Sequence, residues 1–197
     1  MRLGLYGGTF DPVHRGHLEV AARALRELRL TRLLWVVAGD PPHKRGRPLT
    51  PALHRLHMLE LALAGEPRMD VCDAELRRPG PHYTIETLRA FRELWPRAEL
   101  VFLMGADSLR DLPLWREPRA ILDVGVVAAP RPGYDPRPVP AWVRRRARLL
   151  PGPHLDIASS EIRARLRRGA EARDGDLPPA VRGYIRAHRL YREARAS

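Results

Sequence analysis

The sequence predicts one α/β domain over residues 1–197, built as a doubly wound, mostly parallel sheet with a small helical part at about 159–190. Three observations predict it. Short apolar runs alternate with longer amphipathic ones, the mark of β–α units around a parallel sheet. The length of 197 residues suits a single domain, since domains run to roughly 100–200 residues. Hydrophobic residues make up 44% of the chain and are spread along it, enough for a core that forms without disulfide or metal staples.

The first strand is expected at 3–6, where Leu-Gly-Leu-Tyr runs into Gly7-Gly8, and a helix over 17–28 follows with apolar residues at helical spacing. A second strand is the apolar run 33–38. After Thr50, Pro51 suits the first turn of a helix over 51–64. A strand over 69–72 leads to a helix over 84–94 that stops before Pro96. Strands follow over 100–104 and 124–129, with a short sixth near 155–157. Residues 131–140 hold four prolines and a glycine and read as a surface loop, ahead of a basic helix over 142–150. The last part reads as two helices separated by a loop containing Gly and Asp. In such sheets ligands bind at the carboxyl ends of the strands, so the loops after the strands are where chemistry is sought.

Cys72 is the only cysteine, which excludes an intramolecular disulfide and a cysteine-based zinc cluster, and it is expected to pack in a strand. The formal charge of +12 would ordinarily point to nucleic acid, because clustered cations release counterions from a phosphate backbone. Here that signal is diluted. Of 35 basic residues only Lys44 is a lysine, and the arginines are scattered among Ala, Leu and Pro in the manner of a composition bias. Nucleic acid is therefore not expected as a partner, while a basic surface that attracts anionic nucleotides is. No apolar run approaches the roughly 20 residues that span a bilayer, and the N-terminus turns to Gly-Gly too early for a signal peptide, so no membrane association and a cytoplasmic location are expected. The sequence is compatible with a homo-oligomer.

The richest segment is Gly7-Gly8-Thr9-Phe10-Asp11-Pro12-Val13-His14-Arg15-Gly16-His17, between the first strand and its helix. Two glycines let backbone approach a phosphate, and the unpaired N–H groups of a following helix favour negative charge. His14 and His17, three apart, project from one helical face toward that anion. Each imidazole can donate to a phosphoryl oxygen, and Gly16 keeps a side chain out of the way. A metal pair is disfavoured, because Cys or Glu partners at ligand spacing are missing. His54 and His57 are also three apart but lack a glycine loop and read as packing or surface residues; His82, His154 and His188 have no constellation around them.

The eleven-residue segment resembles the signature of the HxGH nucleotidyltransferase superfamily and, in its Gly-Gly-Thr-Phe-Asp-Pro form, that of bacterial nicotinate-mononucleotide adenylyltransferases. The resemblance continues at Pro41-Pro42-His43-Lys44, Tyr83-Thr84-Ile85-Glu86-Thr87-Leu88, Gly105-Ala106-Asp107-Ser108-Leu109, Trp115, Arg131-Pro132-Gly133 and Ile157-Ala158-Ser159-Ser160-Glu161-Ile162-Arg163. It implies a Rossmann-like nucleotidyltransferase sheet and transfer of AMP from ATP to nicotinate mononucleotide in NAD biosynthesis, with Mg2+ arriving on ATP and no metal held by the protein. By the same resemblance ATP falls to Gly8, Thr9, Phe10, His14, His17, Gly105, Asp107, Ser159, Ser160 and Arg163. Nicotinate mononucleotide falls to Thr9, Lys44, Tyr83, Thr84, Trp115 and Arg131, and catalysis to His14, His17, Lys44 and Arg163. The family usually has Ile-Ser-Ser-Thr where this chain has Ile157-Ala158-Ser159-Ser160, which keeps a hydroxyl at the last position and loses one at Ala158.

Each position has a physical use. Thr84 at a helix start can hold a carboxylate, the group that separates nicotinate from nicotinamide. Trp115 offers a flat face to a pyridine ring. Asp107 can accept from ribose hydroxyls, and Ser159, Ser160 and Arg163 at a helix head converge on an anion. Lys44 supplies a compact charge for a phosphate. The nearest rival is transfer within the same superfamily to nicotinamide mononucleotide or to phosphopantetheine, the latter fitting less well since it has no ring to stack. A dinucleotide oxidoreductase fits poorly because no Gly-x-Gly-x-x-Gly follows the first strand. A basic RNA-binding or assembly module with the fold but no activity is the rival from another class.

Overall fold

The computed structural model describes residues 1–42, 49–152 and 155–192. Six strands form one sheet: β1 (Arg2–Gly8), β2 (Arg32–Val37), β3 (Met69–Cys72), β4 (Glu99–Gly105), β5 (Val126–Ala129) and β6 (Arg148–Leu149). Their order is β3-β2-β1-β4-β5-β6 and all five pairings are parallel, so the sheet reverses its winding between β1 and β4. That switch point is where doubly wound sheets open a crevice for ligands.

Strand alternation decides which residues meet which helices. One layer takes Tyr6, Leu33, Trp35, Val37, Val101, Leu103 and Val127 and packs them against helices α1 (Arg15–Glu27), α2 (Ala52–Leu63), α7 (Ser159–Arg167) and α8 (Pro179–Ala187). The other takes Leu3, Leu5, Val36, Leu100, Phe102, Met104 and Val126 and packs them against α3 (Thr84–Leu94), α4 (Ser108–Asp111), α5 (Pro118–Asp123) and α6 (Ala141–Arg144). Both faces of the sheet are thus covered, which is why the strands read as nearly continuous apolar runs. Gly4 faces the first layer, where an added Cβ would come within 2.5 Å of Leu33 and 2.6 Å of Leu30.

Three expectations are corrected. The sixth strand lies at Arg148–Leu149, where both residues are exposed, and residues 155–157 are irregular. The basic helix ends at Arg144, since the chain must then run alongside β5, with the Leu150 N–H donating to Ala128 O at 2.9 Å. His188 does have company: it packs on Tyr184 at 4.2 Å between ring centroids, and the Tyr184 hydroxyl lies 2.8 Å from His54 Nδ1 and 3.2 Å from His57 Nδ1. These rings join α2 to α8, so the His54/His57 pair is a packing feature. His154 lies outside the described residues. Cys72 is half-buried at the end of β3, and burial pushes its thiol pKa up. Among the described residues no helix is long and apolar enough to cross a membrane.

Candidate functional site

β1 delivers Gly7 and Gly8 to the switch point, and the chain then turns into α1 with His14 as the extended residue just ahead of the helix. The glycines do a packing job as well. A Cβ on Gly7 would sit 2.8 Å from the Phe102 ring, and one on Gly8 2.8 Å from the Phe10 ring. Phe10 itself is left-handed at φ 48 and tucks beneath the loop, edge-on to Tyr6 and His17 with centroids 5.3 Å away in each case. Its side chain is therefore core, which leaves its backbone to face a nucleotide.

The two histidines of the signature are brought together as a stacked pair, ring centroids 3.6 Å apart and planes 25° from parallel. The His14 N–H donates to His17 Nδ1 at 3.3 Å, which leaves the proton of a neutral His17 on Nε2. His14 is 3% exposed, and among the described residues neither of its ring nitrogens has a hydrogen-bond partner. Burial, and secondarily the Arg131 guanidinium, lower its pKa to about 3. A buried, neutral imidazole with both nitrogens unsatisfied demands a partner, and an anion's oxygen supplies one. Gly16 allows this stack: an added Cβ would meet His14 Nδ1 at 3.1 Å and Ile157 at 3.5 Å, so the glycine makes room for protein.

Beneath this loop runs a polar network that sequence reasoning missed. Arg55 of α2, 1% exposed, donates to the carbonyls of Thr9 at 2.9 Å, Ala38 at 2.8 Å and Thr50 at 2.9 Å. Burial lowers its pKa, and Asp11 leads the opposing influences. Asp11, also 1% exposed, accepts from the Tyr191 hydroxyl at 2.7 Å and from Thr50 N–H at 3.3 Å. From α7, Ser159 Oγ donates to Pro12 O at 3.0 Å and Arg163 Nη1 to Asp11 O at 2.6 Å. Ser159 and Arg163, expected to converge on an anion, here bond the backbone of the signature loop, while Ser160 is exposed on the same helix. Nothing marked Arg55 among so many arginines, nor Tyr191 so far along the chain.

Of the residues expected to hold the second substrate, Thr9, Tyr83, Thr84 and Trp115 gather on the other side of β1, while Arg131 lines neither cavity there and its charge bears on His14 instead. Gly8, Thr9, His82, Thr84, Ser108 and Trp115 line one cavity, and His82, Thr84 and Trp115 continue into an adjoining one with Tyr83, Leu114 and Arg116. Thr84 is the first residue of α3, with Tyr83 ahead of it as the cap. Trp115 is carried by the turn Leu112–Leu114 and secured by its neighbours: Arg116 pairs with Glu86 at 2.7 Å and lies over the Tyr83 ring, and Arg89 grips Glu117 with two hydrogen bonds at 2.9 and 2.6 Å. His82, read as isolated in the sequence, belongs to this wall. Its Nδ1 accepts from Asp40 N–H at 3.0 Å and its Nε2 donates to Arg78 O at 3.0 Å, with Gly39 making room for the ring. Glu75 ties the same corner together, accepting from Gly39 N–H at 3.1 Å and Thr87 Oγ1 at 2.8 Å.

At the mouth, Gly105 ends β4 and Asp107 pairs with Arg131 at 3.3 Å, both side chains well exposed. Lys44 lies outside the described residues. Gly8 and Thr9 line the Thr84/Trp115 cavity, and the same loop runs on to the stacked His14–His17 pair, an arrangement that can bring two phosphate-bearing molecules together. Among the described residues no group of three or more His, Cys, Asp or Glu could hold a metal ion.

A family model described as cytidylyltransferase-like matches residues 5–165. The chain is 48% identical over 202 residues to a Thermomicrobium roseum protein named "Probable nicotinate-nucleotide adenylyltransferase", covering 99% of this chain and 94% of that protein. It is 46% identical to a Thermus thermophilus protein of the same name, covering 98% and 100%. Its fold is shared with the structure titled Plasmodium falciparum nicotinic acid mononucleotide adenylyltransferase complexed with NaAD, at TM-score 0.81, 20% identity and 96% and 97% coverage.

Proposed function

The chain belongs to the cytidylyltransferase-like family, among relatives named nicotinate-nucleotide adenylyltransferase, and on that premise we propose that it transfers AMP from ATP to nicotinate mononucleotide. The products are nicotinate adenine dinucleotide and pyrophosphate. The observation that carries this reading is the stacked His14–His17 pair at the sheet's switch point, with the His14 nitrogens buried and unpartnered among the described residues.

A phosphate oxygen of the mononucleotide attacks the α-phosphorus of ATP; the new P–O bond forms as the bond to the departing pyrophosphate breaks, in line. No protein nucleophile takes part, so the protein's work is positioning and charge stabilisation. His14 and His17 donate hydrogen bonds to the phosphoryl oxygens, His17 through Nε2. Arg163 uses one of its five N–H groups on Asp11 and adds positive charge beside the pair, and Lys44 adds another. The donors at the site are imidazoles and guanidiniums, which suit phosphates, so these residues would receive a triphosphate that carries its own Mg2+, which would supply charge neutralisation. Gly8, Thr9, the Phe10 backbone, Gly105, Asp107, Ser159 and Ser160 complete the ATP side.

On the other side, Trp115 stacks on the pyridine ring, Thr84 and the N–H groups at the head of α3 receive its carboxylate beside Tyr83, and Arg131 meets the acceptor phosphate with Thr9. The test is product identity. Incubation with Mg-ATP and nicotinate mononucleotide should give the dinucleotide and pyrophosphate in equal amounts by chromatography and mass; pyrophosphate accompanied by AMP alone would contradict the reading.

A further inference from the structure

The C-terminal segment reaches the signature loop at four points among the described residues: Arg15 N–H to Asp176 O, Ser159 to Pro12, Arg163 to the Asp11 carbonyl, and Tyr191 to the Asp11 carboxylate. The last differs in kind. It is a 2.7 Å bond from a phenol to a carboxylate that is 1% exposed, between residues 180 positions apart. A charged acceptor makes such a bond stronger than a neutral one. The backbone is left-handed at both ends of it, φ 48 at Phe10 beside Asp11 and φ 64 at Tyr191. Residues with a Cβ hold that conformation only where their surroundings over-determine it. The other Asp11 oxygen is taken by Thr50 N–H, and Arg55, which anchors the Thr9 and Thr50 carbonyls, leaves the carboxylate little room to shift.

We propose that Tyr191 is a positioning residue for adenylyl transfer: through Asp11 it fixes the turn that sets His14 and His17 at the phosphates. This rests on the function proposed above. Tyr191 acts on the loop, and the loop acts on substrate, so docking of the C-terminal helices is built into the geometry of the site.

Tyr191→Phe removes the hydroxyl and keeps the ring. Its kcat should fall roughly 10- to 100-fold, as misplacement of a site by about 1 Å does, with KM for ATP and mononucleotide changed less than about threefold. Amides 9–17 should exchange hydrogen faster in the variant. Asp11→Asn, and the double variant, complete a cycle in which the two losses do not multiply. An active wild type whose Tyr191→Phe form keeps kcat, or losses that multiply, would overturn the inference. A wild type that releases no pyrophosphate with any acceptor overturns the functional reading instead; unchanged exchange of amides 9–17 in Tyr191→Phe then overturns the clamp independently of turnover.

Discussion

His14 carries a consequence for pH. Its folded-state pKa, lowered to about 3, lies well below the value near 6.5 of an unfolded histidine. Above about pH 6.5 neither state holds the proton and the group is silent. As pH falls from there toward 3 the unfolded chain takes up a proton that the native ring refuses, so stability declines, by at most about 1.4 kcal/mol per pH unit. Urea unfolding between pH 7 and 4 should show a flatter dependence in His14→Gln than in the wild type; equal slopes would mean that the ring is charged in the native protein. His17 tests catalysis. His17→Ala should lower kcat by roughly 10²–10³, the size of losing one oxyanion donor, with the fold retained by circular dichroism. The pair was legible in the sequence because glycine spacing and a three-residue separation are local. The burial of His14 and the lowering of its pKa were not, since they depend on tertiary packing and on the charge of Arg131, far along the chain.

Among the elements, α2 has the most consequential buried residue. Arg55→Met would leave the carbonyls of Thr9, Ala38 and Thr50 without their donor and the Asp11 carboxylate without its compensating charge. Removing one partner of a buried charged network costs about 3–5 kcal/mol, and the urea midpoint should drop accordingly; a loss below about 1 kcal/mol would mean that the network re-forms without the guanidinium. Helices α1, α2 and α3 were legible because each runs for at least 11 residues, the first marked by apolar spacing and the other two by a proline at one boundary. Helices α4 and α5, of 4 and 6 residues, are too short to display a period. The strand β6 has two exposed residues and exists because β5 offers it a free edge, a tertiary cause with no local trace. The same cause cuts short the basic helix expected at 142–150.

For the whole molecule, the alternation of short apolar runs with longer amphipathic ones announced a parallel sheet, and the alternation of side chains along each strand assigns its two layers. Leu3 and Leu5 go to one face and Tyr6 to the other, and the crevice between them opens where β1 separates β2 from β4. The chemistry follows that division. The stacked His14–His17 pair stands at the start of α1, the Thr84/Trp115 cavity on the α3 side, and Gly8 and Thr9 precede the pair in the loop and line that cavity. What the sequence concealed is the scaffold under the loop, because Arg55 and Asp11 become neighbours only when α2 packs beside the loop, and Tyr191 joins them only when the C-terminal part docks. Joining of a nicotinate-bearing mononucleotide to AMP is tested by pyrophosphate release from Mg-ATP with nicotinate mononucleotide, nicotinamide mononucleotide and phosphopantetheine measured side by side. The highest kcat/KM should belong to the nicotinate form, by at least about tenfold, because only its carboxylate would use the head of α3; equal or greater turnover with either of the other acceptors would rule that reaction out as the preferred one.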